Sequence, residues 1–92
     1  MTEEDMQGVM AVLKSGWIGT GPKVARFEKD FAAYKGLTED RVAAVNSCTA
    51  ALHLSMLAAG LQPGDEVITT PMTFCATANS ILHAGLIPVV AD

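Results

Sequence analysis

The stretch Val42-Ala43-Ala44-Val45-Asn46-Ser47-Cys48-Thr49-Ala50-Ala51-Leu52-His53 decides how the rest of the chain is read. Residues 42–45 are a short apolar run, which predicts a strand buried on both faces. Small hydroxyl and thiol residues follow at once. From 48 to 59 the sequence has helical character, closed by Gly60. A buried strand that turns directly into a helix is the opening of an α/β unit.

Downstream, the same logic recurs. Gln62-Pro63-Gly64-Asp65 is a turn signal, and residues 66–70 are rich in β-branched side chains, which predicts a strand. Residues 73–84 predict a helix stopped by Gly85, and 86–91 a third apolar strand with Pro88 near its start. Both helices run out through Ala-Gly-Leu, at Ala59-Gly60-Leu61 and Ala84-Gly85-Leu86, a glycine stop with an apolar residue behind it.

Upstream the pattern is purely helical. Thr2 reads as an N-cap with Asp5 three residues on, and Met6, Val9, Met10 and Leu13 form one apolar stripe. Lys14 and Gly16 suit its end, so residues 3–15 are expected to be helix. Trp17-Ile18-Gly19-Thr20-Gly21 is a loop, and Pro22 fits the first turn of a second helix over 22–35, with Val24, Phe27, Phe31 and Tyr34 on one face and Gly36 as its stop. The expected order is two leading helices, then β-α-β-α-β.

Composition bounds what such a chain can do. It has 92 residues, half of them apolar and 17% charged, with a net charge of -4. Disorder is excluded by that hydrophobicity. Six Lys and Arg form no basic stripe, which argues against nucleic acid as a partner. No apolar run reaches the roughly 20 residues that span a bilayer. The acidic opening Thr2-Glu3-Glu4-Asp5 is unlike a signal peptide, so the expected location is cytoplasmic. Cys48, Cys75, His53 and His83 complete no metal-ligand spacing. A three-strand α/β sheet that runs out at Asp92 with neither disulfide nor metal is expected to be one incomplete segment: 1–36 the N-terminal helices, 37–92 the start of a larger domain.

Open α/β sheets bind ligands outside the carboxyl ends of their strands. Two such ends are foreseen. At the first, the helix opening at Cys48 offers unpaired N–H groups and a positive dipole end, with the Ser47 and Thr49 hydroxyls beside it, which suits a phosphate. The alternative is that Ser47 or Thr49 only caps the helix. At the second, Phe74 is expected at a helix start on the same edge, where its ring could lie flat on a planar ligand; the alternative is a core phenylalanine. No glycine-rich dinucleotide or P-loop signature is present. Cys48 as a nucleophile lacks a partner base, and Asp65-Glu66 reads as a solvated turn rather than an acid/base pair.

Taken together, Gly16-Trp17-Ile18-Gly19-Thr20-Gly21-Pro22-Lys23, Phe27-Glu28, Asn46 to His53, Pro63-Gly64-Asp65-Glu66-Val67-Ile68, Phe74-Cys75-Ala76-Thr77-Ala78-Asn79, Gly85 and Pro88 resemble the N-terminal part of the DegT/DnrJ/EryC1/StrS family. These are pyridoxal-phosphate-dependent sugar aminotransferases of fold type I. The resemblance covers residues 3–92 and implies the beginning of the cofactor-binding large domain.

What the resemblance implies is specific. Ser47, Cys48, Thr49 and Ala50 would hold the phosphate of pyridoxal 5'-phosphate, with Cys48 where glycine is frequent. Phe74 would stack on the pyridine ring, and Thr20 would contact substrate at the active-site mouth, near a homodimer interface. The substrates would be a nucleotide-linked keto-sugar and an amino donor, glutamate or glutamine. The family's Schiff-base lysine and ring-pairing aspartate lie further along; Lys14, Lys23, Lys29 and Lys35 do not match that motif, so no catalytic residue is expected here. A sugar dehydratase of the same family, with histidine for that lysine, and a non-catalytic α/β binding or dimerisation module are the alternative readings.

Overall fold

The computed structural model describes residues 1–91. The chain forms two compact units, Met1–Ala44 and Val45–Asp92.

In the first unit, α1 spans Glu3–Ser15 and α2 spans Pro22–Lys35, the bounds that the capping residues predict. Thr2 and Asp5 form a reciprocal capping box: the Thr2 N–H donates to the Asp5 carboxylate at 2.6 Å, and the Asp5 N–H to Thr2 Oγ1 at 3.2 Å. These bonds hold the Asp5 carboxyl below the usual carboxylate range, the backbone bond contributing most. Pro22 opens α2, and Gly36 ends it at φ 68°, with the Leu37 N–H reaching back to the Ala32 carbonyl at 2.8 Å. Only glycine adopts that left-handed stop without strain. A short 3₁₀ turn, Glu39–Arg41, packs on α2.

In the second unit, α3 (Cys48–Ala58) leads through a turn into β1 (Glu66–Thr69), then α4 (Ala76–His83) and β2 (Ile87–Val90). The two strands pair in parallel, Glu66 opposite Ile87 and Thr69 opposite Val90. The Ile87 and Ala91 N–H groups donate to the Asp65 and Thr69 carbonyls of the β1 side. Position 88 has the opposite parity, so its nitrogen faces away from β1 and Pro88 costs the ladder no donor. Ile81 and Ser80, both 1% exposed, centre the core with Ala76 and Leu86. The buried Ser80 hydroxyl is satisfied by donating to the Thr77 carbonyl at 2.9 Å.

Two expectations are corrected. Val42 is extended, at φ −128° and ψ 130°, yet residues 42–45 form no strand. Strand character needs a ladder partner; here β1 pairs with β2, and the Ala44 N–H is taken by the Glu28 carboxylate. α3 accordingly packs on α4. The last helix begins at Ala76, not 73. Thr73 to Cys75 lie before its first full turn, and the Phe74 carbonyl accepts the Thr77 N–H at 2.9 Å.

The accessible surface is 7,259 Å², against roughly 5,100 Å² for a compact chain of this mass. Large apolar side chains are exposed in both units, among them Val9, Leu13 and Phe27 in the first and Ile68 and Val90 in the second.

Candidate functional site

The turn that opens α3 is shaped by one side chain. Ser47 is the N-cap: its backbone is extended, and its Oγ accepts the Ala50 N–H at 3.1 Å. Its carbonyl accepts the Ala51 N–H at 3.1 Å. The cap thus uses one of the donors that a helix start leaves free, the Ala50 N–H, while the Ala51 bond is the first of the helix itself. The N–H groups of Cys48 and Thr49 meet no acceptor among the described residues, and neither does the Thr49 hydroxyl. Both side chains are exposed. Ser47 therefore builds the cradle, while Cys48 and Thr49 offer the open donors; the Ala50 N–H is already spent on the cap.

Cys48 fits without strain. No residue other than glycine has a positive φ among the described residues, so a side chain costs nothing at this position of the turn. Cys48 and Cys75 are both free and exposed.

Phe74 sits between the carboxyl end of β1 and α4, and its ring is 76% exposed. Within this unit it is not a core residue. Two local polar contacts flank it: Thr70 Oγ1 accepts the Met72 N–H at 3.4 Å, and the Thr73 and Thr77 hydroxyls lie 3.0 Å apart. Parallel pairing with β2 fixes the strand end that delivers this segment.

Thr20 belongs to the first unit, in the loop between α1 and α2, and its carbonyl accepts the indole N–H of Trp17 at 2.9 Å. Asp65 serves the turn before β1, where its carboxylate accepts the Gln62 N–H at 2.8 Å. His53 and His83 meet edge to face across α3 and α4, ring centroids 6.3 Å apart. Sequence reading assigned no role to Glu28 or to the Trp17 indole. Only the presence of Phe27-Glu28 and of Trp17 among the residues that carry the family resemblance signalled them.

The opening of α3 leaves the Cys48 and Thr49 N–H groups without acceptors among the described residues, and unpaired N–H groups at a helix start can hold an anion. The chain is similar to solved aminotransferase structures. The aminotransferase TlmJ of Streptoalloteichus hindustanus superposes over the full chain with a TM-score of 0.88 and 40% identity, this chain covering 25% of it. NtdA of Bacillus subtilis with bound cofactor PMP superposes with a TM-score of 0.83 and 34% identity, covered to 22%. The fold is the N-terminal part of the α/β large domain of fold-type I pyridoxal-phosphate-dependent transferases.

The profile of the DegT/DnrJ/EryC1/StrS aminotransferase family matches residues 1–92, and the chain belongs to that family. Among curated relatives, the spore coat polysaccharide biosynthesis protein SpsC of Bacillus subtilis is 56% identical over 90 residues, which are 98% of this chain and 23% of SpsC. The UDP-4-amino-4-deoxy-L-arabinose–oxoglutarate aminotransferase of Shewanella sediminis is 43% identical over 90 residues, again 98% of this chain and 23% of the relative. The chain spans about a quarter of the length of the curated relatives it matches.

Proposed function

We propose that these residues are the phosphate-holding beginning of a sugar aminotransferase that moves an amino group from glutamate or glutamine to a nucleotide-linked keto-sugar. The observation that carries the reading is the α3 turn, where the Cys48 and Thr49 N–H groups stand open on a Ser47-capped helix start. The donor set fits a phosphate dianion: main-chain N–H groups, one free hydroxyl and a helix dipole, with no carboxylate on the turn. Family membership and the PMP-bound NtdA relative support pyridoxal 5'-phosphate as the group held there.

In this reading Cys48 and Thr49 donate to the phosphate, Ser47 and Ala50 hold the turn in shape, and Phe74 lies against the ring. When bound, the pyridoxal group supplies an electron sink for the bonds broken at the amino-bearing carbon. Lys14 lies on α1, and Lys23, Lys29 and Lys35 lie on α2. None is placed at the α3 turn or the β1–α4 connection, so the reacting lysine is assigned to a part of the protein outside this segment, and residues 1–92 alone are expected to be inactive. The relatives' names support a sugar substrate. A homodimer that completes the site, with the exposed stripes covered, accords with the excess of exposed surface. A cytoplasmic location accords with the absence of any helix, among the described residues, long and apolar enough to cross a membrane.

The test is isotope transfer in the full-length protein loaded with pyridoxal phosphate. With glutamate labelled at its amino nitrogen, the label is expected in the product amino sugar. Label that stays in glutamate in the presence of nucleotide-linked keto-sugars contradicts the reading.

A further inference from the structure

The chain has two asparagines, Asn46 and Asn79, and a serine follows each. Both asparagines are exposed. The two dipeptides share their chemistry and differ in backbone. Asn79 and Ser80 lie within α4, where the Asn79 N–H donates to the Cys75 carbonyl at 3.0 Å and Ser80 is buried at 1% exposure. The Ser80 hydroxyl is turned to the Thr77 carbonyl at 2.9 Å. An amide inside a helix is committed to the helical ladder and is not free to approach the side chain before it.

Asn46 and Ser47 stand outside any ladder. Asn46 is at the bend before α3, and Ser47 is extended, at φ −159° and ψ 155°. The Ser47 N–H meets no acceptor among the described residues. The Ser47 hydroxyl donates to Asn46 Oδ1 at 3.4 Å. An amide N–H without a partner thus follows directly on a side-chain carbonyl that a hydroxyl polarises. These are the two groups that react when an asparagine closes on its own backbone.

We propose that Asn46 is a self-modification site, at which attack by the Ser47 amide converts the side chain to a carboxylate and sets a negative charge at the α3 turn. The Ser47 nitrogen gives its proton to solvent and forms a bond to Asn46 Cγ. The Cγ–Nδ2 bond breaks, and Nδ2 takes a proton from water and leaves as ammonia. Water then opens the cyclic imide at either carbonyl, which yields aspartate or isoaspartate. No electrons are exchanged with another reactant. The new carboxylate immediately precedes the Ser47 cap, and its repulsion of a phosphate dianion weakens anion binding at the Cys48 and Thr49 N–H groups. That consequence rests on the proposed function; the modification itself does not.

The experiment uses the full-length protein. It is freed of pyridoxal phosphate and incubated under mildly alkaline conditions, and the peptides carrying Asn46 and Asn79 are compared by mass spectrometry. Asn46 is expected to react at least about tenfold faster than Asn79, which must wait for local opening of α4. Asn46→Gln lengthens the side chain and should remove the reaction at this position. Pyridoxal phosphate affinity should fall with incubation time in the parent and hold steady in Asn46→Gln. Asn46→Asp should bind the cofactor on the order of tenfold more weakly from the start.

A rate at Asn46 no greater than that at Asn79 overturns the proposal and leaves the functional reading untouched. Faster reaction at Asn46 also overturns it if the incubated protein and Asn46→Asp bind the cofactor as tightly as the fresh parent, because the charge then has no effect at the turn. A fresh parent that binds no pyridoxal phosphate contradicts the proposed function instead, and the two rates still decide whether Asn46 modifies itself.

Discussion

The Glu28 carboxylate accepts the backbone N–H of Ala44 at 2.7 Å, across sixteen residues of sequence. The bond joins α2 to the extended run two residues ahead of Asn46, where the α3 turn begins. It gives residues 42–45 a polar tether in place of a ladder bond. Glu28 is half-buried, while its other neighbours in charge along α2, Arg26 and Asp30, pair with each other on the surface at 3.3 Å. Such an exposed pair contributes little, so the Glu28 bond is the one that matters to this connection.

Removing that acceptor should free the Ala44 amide. A hydrogen bond to a carboxylate contributes about 1–3 kcal/mol. Glu28→Ala is expected to speed amide exchange at Ala44 by about tenfold, and Glu28→Gln, which keeps a carbonyl acceptor, by less than half of that effect. Equal exchange in all three proteins contradicts the assignment.

The α1 capping box should be sensitive to acid. The folded protein lowers the Asp5 pKa through its bonds to Thr2. A lowered carboxylate contributes stability that is fully present above its unfolded value, near 4, and is lost as pH falls through the folded value. The first turn of α1 should therefore fray as pH drops below about 4, seen as faster amide exchange at Asp5 and Met6. Asp5→Asn should already show faster exchange at neutral pH. Exchange at these positions that is indifferent to both changes contradicts the box.

At the α3 turn, Thr49 is the side chain with a free hydroxyl. Thr49→Ala in the full-length protein should weaken pyridoxal phosphate binding by about 0.5–1.5 kcal/mol for a neutral hydrogen bond, and by up to about 3 if the phosphate charge strengthens it. Ser47→Ala acts differently, by removing the cap, at a cost of about 1 kcal/mol to the start of α3. Dialysis followed by cofactor absorbance measures the first, and amide exchange at Ala50 the second.

Phe74 is tested by its π face. Phe74→Leu keeps the apolar bulk and removes the stacking surface, which is worth about 0.5–1.5 kcal/mol beyond burial. Cofactor affinity should fall and the visible absorption should shift, while Phe74→Tyr retains both. A leucine variant equal to the parent makes Phe74 a packing residue.

Much of this was legible in the sequence because capping and turn residues act locally. Thr2, Gly16, Pro22 and Gly36 mark the ends of α1 and α2, and Ala84-Gly85-Leu86 closes α4 with the Leu86 N–H on the Ile81 carbonyl at 3.1 Å. The turn at Ser47 to Thr49 was legible for the same reason. Residues 42–45 were misread because strand formation depends on a partner that local composition does not specify. The late start of α4 escaped because an apolar period does not distinguish Thr73 before the first turn from Ala76 within it. Glu28 to Ala44 and Trp17 to Thr20 were invisible in a third way: each joins a side chain to a main-chain group, and no periodicity encodes such a bond.

In the proposed function the α3 turn holds the cofactor phosphate. A crystal structure of the full-length protein with pyridoxal phosphate tests it most directly. Phosphate oxygens are expected within about 3.2 Å of the Cys48 and Thr49 nitrogens, with the Thr49 hydroxyl also donating and the Phe74 ring against the pyridine face. A phosphate bound elsewhere, with the Cys48 and Thr49 N–H groups facing only water, would contradict it.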